Sequence, residues 1–158
     1  MTMNKMLFKI LFFWQKPEIA VLTSGNLELT RNFIARILDR PYLLERKVLI
    51  CSYNLQKQLS LGRKKYLILN YDDDNIRKIK EYDKAKIITF GFRADADFRA
   101  SDVKINGGVN FKINYQGNTV PVWLEKPFGQ EHIQAALAAA AVGEVLGLNL
   151  IDVSEALR

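Results

Sequence analysis

Short apolar runs alternate along this chain with segments of helical spacing. Glu18 to Leu22 is an apolar run between Pro17 and the turn Thr23-Ser24-Gly25-Asn26. Consecutive apolar positions of that length predict a strand buried on both faces. From Leu27 to Leu38 the apolar residues fall at 27, 29, 33, 34, 37 and 38, one stripe of a helix, and Asp39-Arg40-Pro41 ends it. Further buried strands are expected at Lys47 to Cys51, Tyr66 to Asn70 and Lys86 to Phe90. A polar stretch with some helix is expected between the first two of these, through Leu61. Asp72-Asp73-Asp74 precede a helix expected over 75–82, because a helix N-terminus favours carboxylates. Strands alternating with helices predict a parallel α/β sheet.

The pattern changes after Gly91. Ser101 to Asn106, Val109 to Tyr115 and Thr119 to Leu124 read as short strands, with Gly107-Gly108 and Gln116-Gly117-Asn118 as turns. They predict a small antiparallel β appendage, a meander within 92–125. Gly129 leads into an alanine-rich helix over 131–146, stopped by Gly147, and 151–157 is a last short helix. The expected fold class is therefore α/β: a mostly parallel sheet with flanking helices plus a small antiparallel meander.

Residues 5–14 are nearly all apolar, with lysines at 5 and 9, and Pro17 closes the segment. It is too short to span a bilayer, and no small-residue cleavage site follows it. Two readings stay open: a helix packed on the core or a partner, or a helix lying in a membrane interface. Residues 1–16 are thus set apart from the domain over 17–158.

The net charge of +6 is uneven. Residues 1–65 hold 12 Lys/Arg against 4 Asp/Glu, and 66–158 hold 11 against 13. A basic first third suits RNA, phosphate or an anionic membrane, or forms a solvated face. No zinc-finger or RNP-type pattern accompanies it, so nucleic-acid binding is not the leading expectation. A single cysteine, Cys51, excludes an internal disulfide framework and fits a reducing, cytoplasmic compartment. One cysteine and one histidine exclude a zinc site of those types alone.

Several ordered pieces carry a family resemblance. They are Leu-Asn-Tyr-Asp-Asp (69–73), Ile-Thr-Phe-Gly (88–91), Ala-Asp-Phe-Arg-Ala-Ser-Asp-Val (96–103), Gly-Gln-Glu-His-Ile-Gln-Ala-Ala-Leu-Ala-Ala-Ala-Ala-Val (129–142) and Leu-Gly-Leu-Asn-Leu (146–150). Together they resemble the central, ATP-binding domain of the Mur ligases, nearest to the branch that adds D-alanyl-D-alanine. The resemblance implies a P-loop-type fold and descent from ATP-dependent ligases of peptidoglycan (cell-wall) precursors, which use ATP and Mg²⁺.

Residues 16–23 resemble the strand that feeds that family's phosphate loop, Thr-Gly-(Ser/Thr)-x-Gly-Lys-(Thr/Ser). This chain reads Thr23-Ser24-Gly25-Asn26-Leu27-Glu28-Leu29-Thr30. Leu27 stands for glycine, Glu28 for lysine and Leu29 for the hydroxyl residue. Such a loop needs glycines for backbone approach, a cation for the phosphates and a hydroxyl for Mg²⁺. Lysine to glutamate changes the local charge by two units. Each unit is worth ~4 kcal/mol at ~4 Å and an effective dielectric of ~20 before screening. About 27 residues separate Leu38 from Tyr66, a shorter stretch than the family uses for its acidic Mg²⁺ ligand and its carbamylated lysine.

By position, the resemblance implies a vestigial nucleotide site of Thr23, Ser24, Gly25, Asn26, Thr30, Asn70, Asp73 and His132. Asn70 and Asp73 equally suit turn and helix capping, and His132 equally suits a partly exposed helix start. The three aspartates read as a solvated acidic turn, since calcium sites need spaced ligands and a glycine. No catalytic residue, metal site or cofactor is expected for this chain itself. The expected function is a truncated Mur-ligase-like pseudoenzyme acting as an accessory or binding module. Its expected partners are a full-length or complementary Mur ligase chain and, through 5–14, the inner membrane face. The alternatives are one half of a split ATP-dependent ligase, or a basic-surface binder of RNA or anionic lipid.

Overall fold

The computed structural model describes residues 18–39, 48–52, 65–79, 84–125 and 129–158. The expected helix over 5–14, the polar stretch through Leu61 and the end of the helix over 75–82 lie outside them, in whole or in large part.

Strands β1 (Ile19–Leu22), β2 (Val48–Cys51), β3 (Tyr66–Asn70) and β4 (Lys86–Gly91) are parallel, and β5 (Phe98–Ile105), β6 (Val109–Tyr115) and β7 (Asn118–Leu124) complete one seven-stranded sheet in the order β2-β1-β3-β4-β5-β6-β7. The helices are α1 (Leu27–Leu38), α2 (Asp74–Arg77), α3 (Gln130–Val145) and α4 (Leu150–Ala156). Alternate residues of the parallel strands feed two cores. Ile19, Val21, Ile68, Ile88 and Phe90 join the large core under α1, α3 and α4. Ala20, Leu22, Cys51, Leu67 and Leu69 join a smaller one with Ile76 of α2. Burial on both faces is why these strands read as unbroken apolar runs.

Helix α1 presents Phe33, Ile34, Ile37 and Leu38 to the large core, each contributing roughly 1.5–3 kcal/mol by burial. In α3, Ala135 to Gly143 are all buried. That helix is apolar all round, and its small side chains let it lie close to both the sheet and α1.

The antiparallel meander is present, and it continues the parallel sheet as its last strands. β5 begins at Phe98, three residues earlier than the alternation at 101 suggests, because Phe90 pairs with Phe98 and Gly91 with Arg99 in parallel. From there β5 runs on past the carboxyl ends of the parallel strands to Ile105, roughly 20 Å at ~3.3 Å per residue. β6 and β7 pair antiparallel behind it. The meander therefore stands as a wall beside the carboxyl edge of the sheet.

Candidate functional site

In open α/β sheets ligands bind outside the carboxyl ends of the strands. Here that edge gathers the loop after β1, the turn after β3, the end of β4 and the start of α3.

The β1–α1 loop is held by its own side chains. The Thr23 hydroxyl accepts from the Gly25 N–H at 3.1 Å and from Asn70 Nδ2 at 3.4 Å. Asn26 caps α1, its Oδ1 accepting from Leu29 N–H at 2.9 Å. The Thr30 hydroxyl donates to the Asn26 carbonyl at 2.9 Å, and Thr30 N–H bonds the same oxygen at 3.0 Å. The backbone N–H groups of Gly25, Leu29 and Thr30 and the Thr30 hydroxyl thus have partners inside the loop. Residues 23–30 contain no lysine or arginine, and Glu28 lies in the first turn of α1.

The β3 turn joins this loop. Asn70 is 1% exposed and its Oδ1 accepts from Asp72 N–H at 3.1 Å. Asp73 caps α2, accepting from Asn75 and Ile76 N–H at 2.8 and 3.0 Å. Burial pushes the Asp73 carboxyl up. The hydrogen bonds from Ile76 N–H, the Ser24 side chain and Asn75 N–H outweigh it and hold the pKa below the usual carboxylate value.

Asp72 is the residue that sequence reasoning missed. Its carboxylate accepts from Phe92 N–H at 2.9 and 3.2 Å and from Gln134 Nε2 at 2.9 Å. Gly91 makes room for it: a Cβ there would lie 2.6 Å from Asp72 Oδ1. Gln134 also leans toward the loop, its Oε1 3.7 Å from where a Cβ on Gly25 would stand. A polar residue inside the apolar run 133–143 was the available signal. The three aspartates diverge: Asp72 faces β4 and α3, Asp73 caps α2, and Asp74 pairs with Arg77. Among the described residues, no cluster of His, Cys, Asp or Glu is placed to hold a metal.

His132 faces the first turns of α1. Two residues apart on a helix, His132 and Gln134 point to different sides. The His132 ring meets Phe33 edge-on at 6.3 Å and lines a cavity of about 360 Å³ with Leu29, Arg36 and Glu125. Burial lowers its pKa, with Glu131 opposing. So the structure brings together Thr23, Ser24, Gly25, Asn26, Thr30, Asn70 and Asp73, and sets His132 against Phe33 of α1, in a cavity it shares with Leu29.

A model of the Mur ligase middle domain matches residues 46–143. The chain is 38% identical over 91 residues to a UDP-N-acetylmuramate–L-alanine ligase of Sulfurihydrogenibium, covering 57% of this chain and 19% of that protein. It is 30% identical over 132 residues to a UDP-N-acetylmuramoyl-L-alanyl-D-glutamate–2,6-diaminopimelate ligase of Lactiplantibacillus plantarum, covering 83% and 26%. The fold superposes on MurF from Acinetobacter baumannii with a TM-score of 0.70 at 18% identity, covering 91% of this chain and 45% of that one. For UDP-N-acetylmuramate-alanine ligase from Thermotoga maritima the TM-score is 0.65 at 16% identity, covering 97% and 47%. The chain therefore spans about a fifth to a quarter of its curated relatives. The mixed sheet with flanking helices is the fold of the central domain in these neighbours.

Proposed function

The chain belongs to the Mur ligase family through its middle domain, and from that premise we propose that it is a domain of Mur-ligase descent whose β1–α1 loop no longer holds Mg-ATP. One observation carries this: the loop is closed on itself by Asn26, Thr23 and Thr30 and bears Glu28 where the family pattern has lysine. Residues 23–30 do not fit a triphosphate with its metal. They offer no cation, and the hydroxyl of Thr30 is already donated to the Asn26 carbonyl. The carboxylates of Asp72, Asp73 and Asp74 at the neighbouring turn add repulsion toward an anion at the same edge.

On this reading the domain is a pseudoenzyme that serves as an accessory or binding module, with a full-length or complementary Mur ligase chain as its partner. The proposal stays at the level of the family. The D-alanyl-D-alanine branch rests on the sequence pieces, whereas relatives by sequence are named for addition of L-alanine or diaminopimelate.

Calorimetric titration with Mg-ATP and Mg-ADP tests the reading. The native chain is expected to give no binding heat, and a Leu27→Gly, Glu28→Lys, Leu29→Thr variant is the matched control. Micromolar binding by the native chain would overturn the proposal and favour a split ligase completed by a second chain.

A further inference from the structure

We propose that the tip of the β5–β6 hairpin, with Trp123 of β7 beside it, is a contact surface for an anionic lipid bilayer. The large apolar side chains exposed among the described residues are Val103, Ile105, Trp123 and Ile151, at 41, 70, 42 and 62%. All but Ile151 stand at this tip, Ile105 on the face of Val109 and Leu124 and Trp123 on the opposite face with Lys104 and Asn110, so the tip presents apolar side chains on both faces. Their exposure has a backbone cause. The β5–β6 register breaks between Ser101 and Lys104, with Asp102 at φ 52°. A bulge of that kind twists the strand end away from its partner and re-aims its side chains.

The indole of Trp123 lies over the turn. A Cβ on Gly108 would meet its Cε2 at 3.4 Å and the Leu124 carbonyl at 2.6 Å. The ring thus rests on bare backbone at the rim. A tryptophan so placed, with an apolar body and one N–H, suits the boundary between headgroups and acyl chains.

Cations surround this apolar tip. Lys104, Lys112 and Arg158 line the groove of about 710 Å³ under Trp123, and Asp102 is the acidic side chain among its described lining residues. Asp102 is paired to Lys112 at 2.8 Å. The half of the chain that holds this tip is slightly acidic, 11 Lys/Arg against 13 Asp/Glu over 66–158, so the attraction to an anionic surface is local to these cations. An aliphatic tip decides between polyanions. Ile105 and Val103 gain nothing from a nucleic acid, where stacking would fall to Trp123 alone, whereas all three gain from the lipid boundary. The surface is independent of the β1–α1 loop and of the reading proposed for it.

The test is sedimentation of the full chain with vesicles of phosphatidylcholine alone and of phosphatidylcholine mixed with phosphatidylglycerol. Binding to the mixed vesicles and not to the neutral ones is expected. Ile105→Asp with Trp123→Ser lowers that partitioning at least about tenfold. Lys104→Glu weakens it without touching the apolar tip. In a Trp14→Phe background, Trp123 emission shifts to the blue on the mixed vesicles. Circular dichroism checks the fold of each variant, and these residues are exposed. No binding to phosphatidylglycerol overturns the proposal. So does binding unchanged by the double variant, which places the contact in residues 5–14. Binding of an oligouridylate in place of vesicles, lost in the double variant, assigns the surface to nucleic acid instead.

Discussion

Two strand-to-helix turns lie side by side at the carboxyl edge, after β1 and after β3, whose Leu22 and Leu69 are in register. Both end in an extended Asx residue that caps the next helix, Asn26 for α1 and Asp73 for α2. The β3 turn places a carboxylate on the helix start, where its charge is favoured. The β1 turn places a neutral amide there and a glutamate in the following turn. The two are tied together by Asn70 Nδ2, which donates to the Thr23 hydroxyl at 3.4 Å. Where a phosphate loop leaves N–H groups for a ligand, the β1 turn spends those of Gly25 and Leu29 on the Thr23 and Asn26 side chains, and the β3 turn spends those of Asp72, Asn75 and Ile76 on Asn70 and Asp73.

The largest expected effect breaks the packing that holds both turns. Gly91→Ala sets a methyl 2.6 Å from the Asp72 carboxylate, displacing it from Phe92 N–H and Gln134. Unmaking those bonds costs about 1–3 kcal/mol, measured by urea unfolding. Unchanged stability would mean that Asp72 shifts freely and does not organise the edge.

The next prediction sharpens the contrast between the caps. Asp73→Ala is expected to cost about 1–2 kcal/mol and Asn26→Ala about 1 kcal/mol or less, because Asp73 serves two backbone donors and Ser24. The reverse order would sink the comparison. The Asp73 carboxyl is held below its usual value, so its stabilisation is complete above about pH 4 and is lost as pH falls through the lowered folded-state pKa. Asp73→Asn should flatten that acid limb of the unfolding profile.

The smallest effect lies at the start of α3. His132 has a lowered pKa through burial, so the fold favours its neutral form. Its contribution is present above the unfolded value near 6.5 and declines as pH falls below that toward the folded-state pKa. Thermal unfolding between about pH 5 and 7.5 should show a slope that His132→Gln removes.

Periodicity made most of the fold legible. α1 spans the residues its apolar spacing marks, Leu27–Leu38, and β3 spans Tyr66–Asn70. The start of β5 was not legible, because Phe98 and Arg99 enter the sheet through parallel pairing with Phe90 and Gly91, a contact that leaves no alternation at 98–99. At the site, Asp73 was legible as a cap by its type, whereas Asn26 read as a turn residue and proved to cap α1. Asp72 and Gln134 were not legible, since their partnership spans 62 positions.

By itself the sequence determined which segments are strands and helices, the absence of lysine and arginine from residues 23–30 and the apolar character of 5–14. These are local properties of residue order, set by side-chain period and by charge. Tertiary structure alone decided that the meander continues the sheet, that Asp72 meets Phe92 and Gln134 while His132 meets Phe33, and that Val103, Ile105 and Trp123 stand at one tip. Each depends on which strands pair and which side of a helix meets the sheet, and those outcomes follow from packing the whole chain at once.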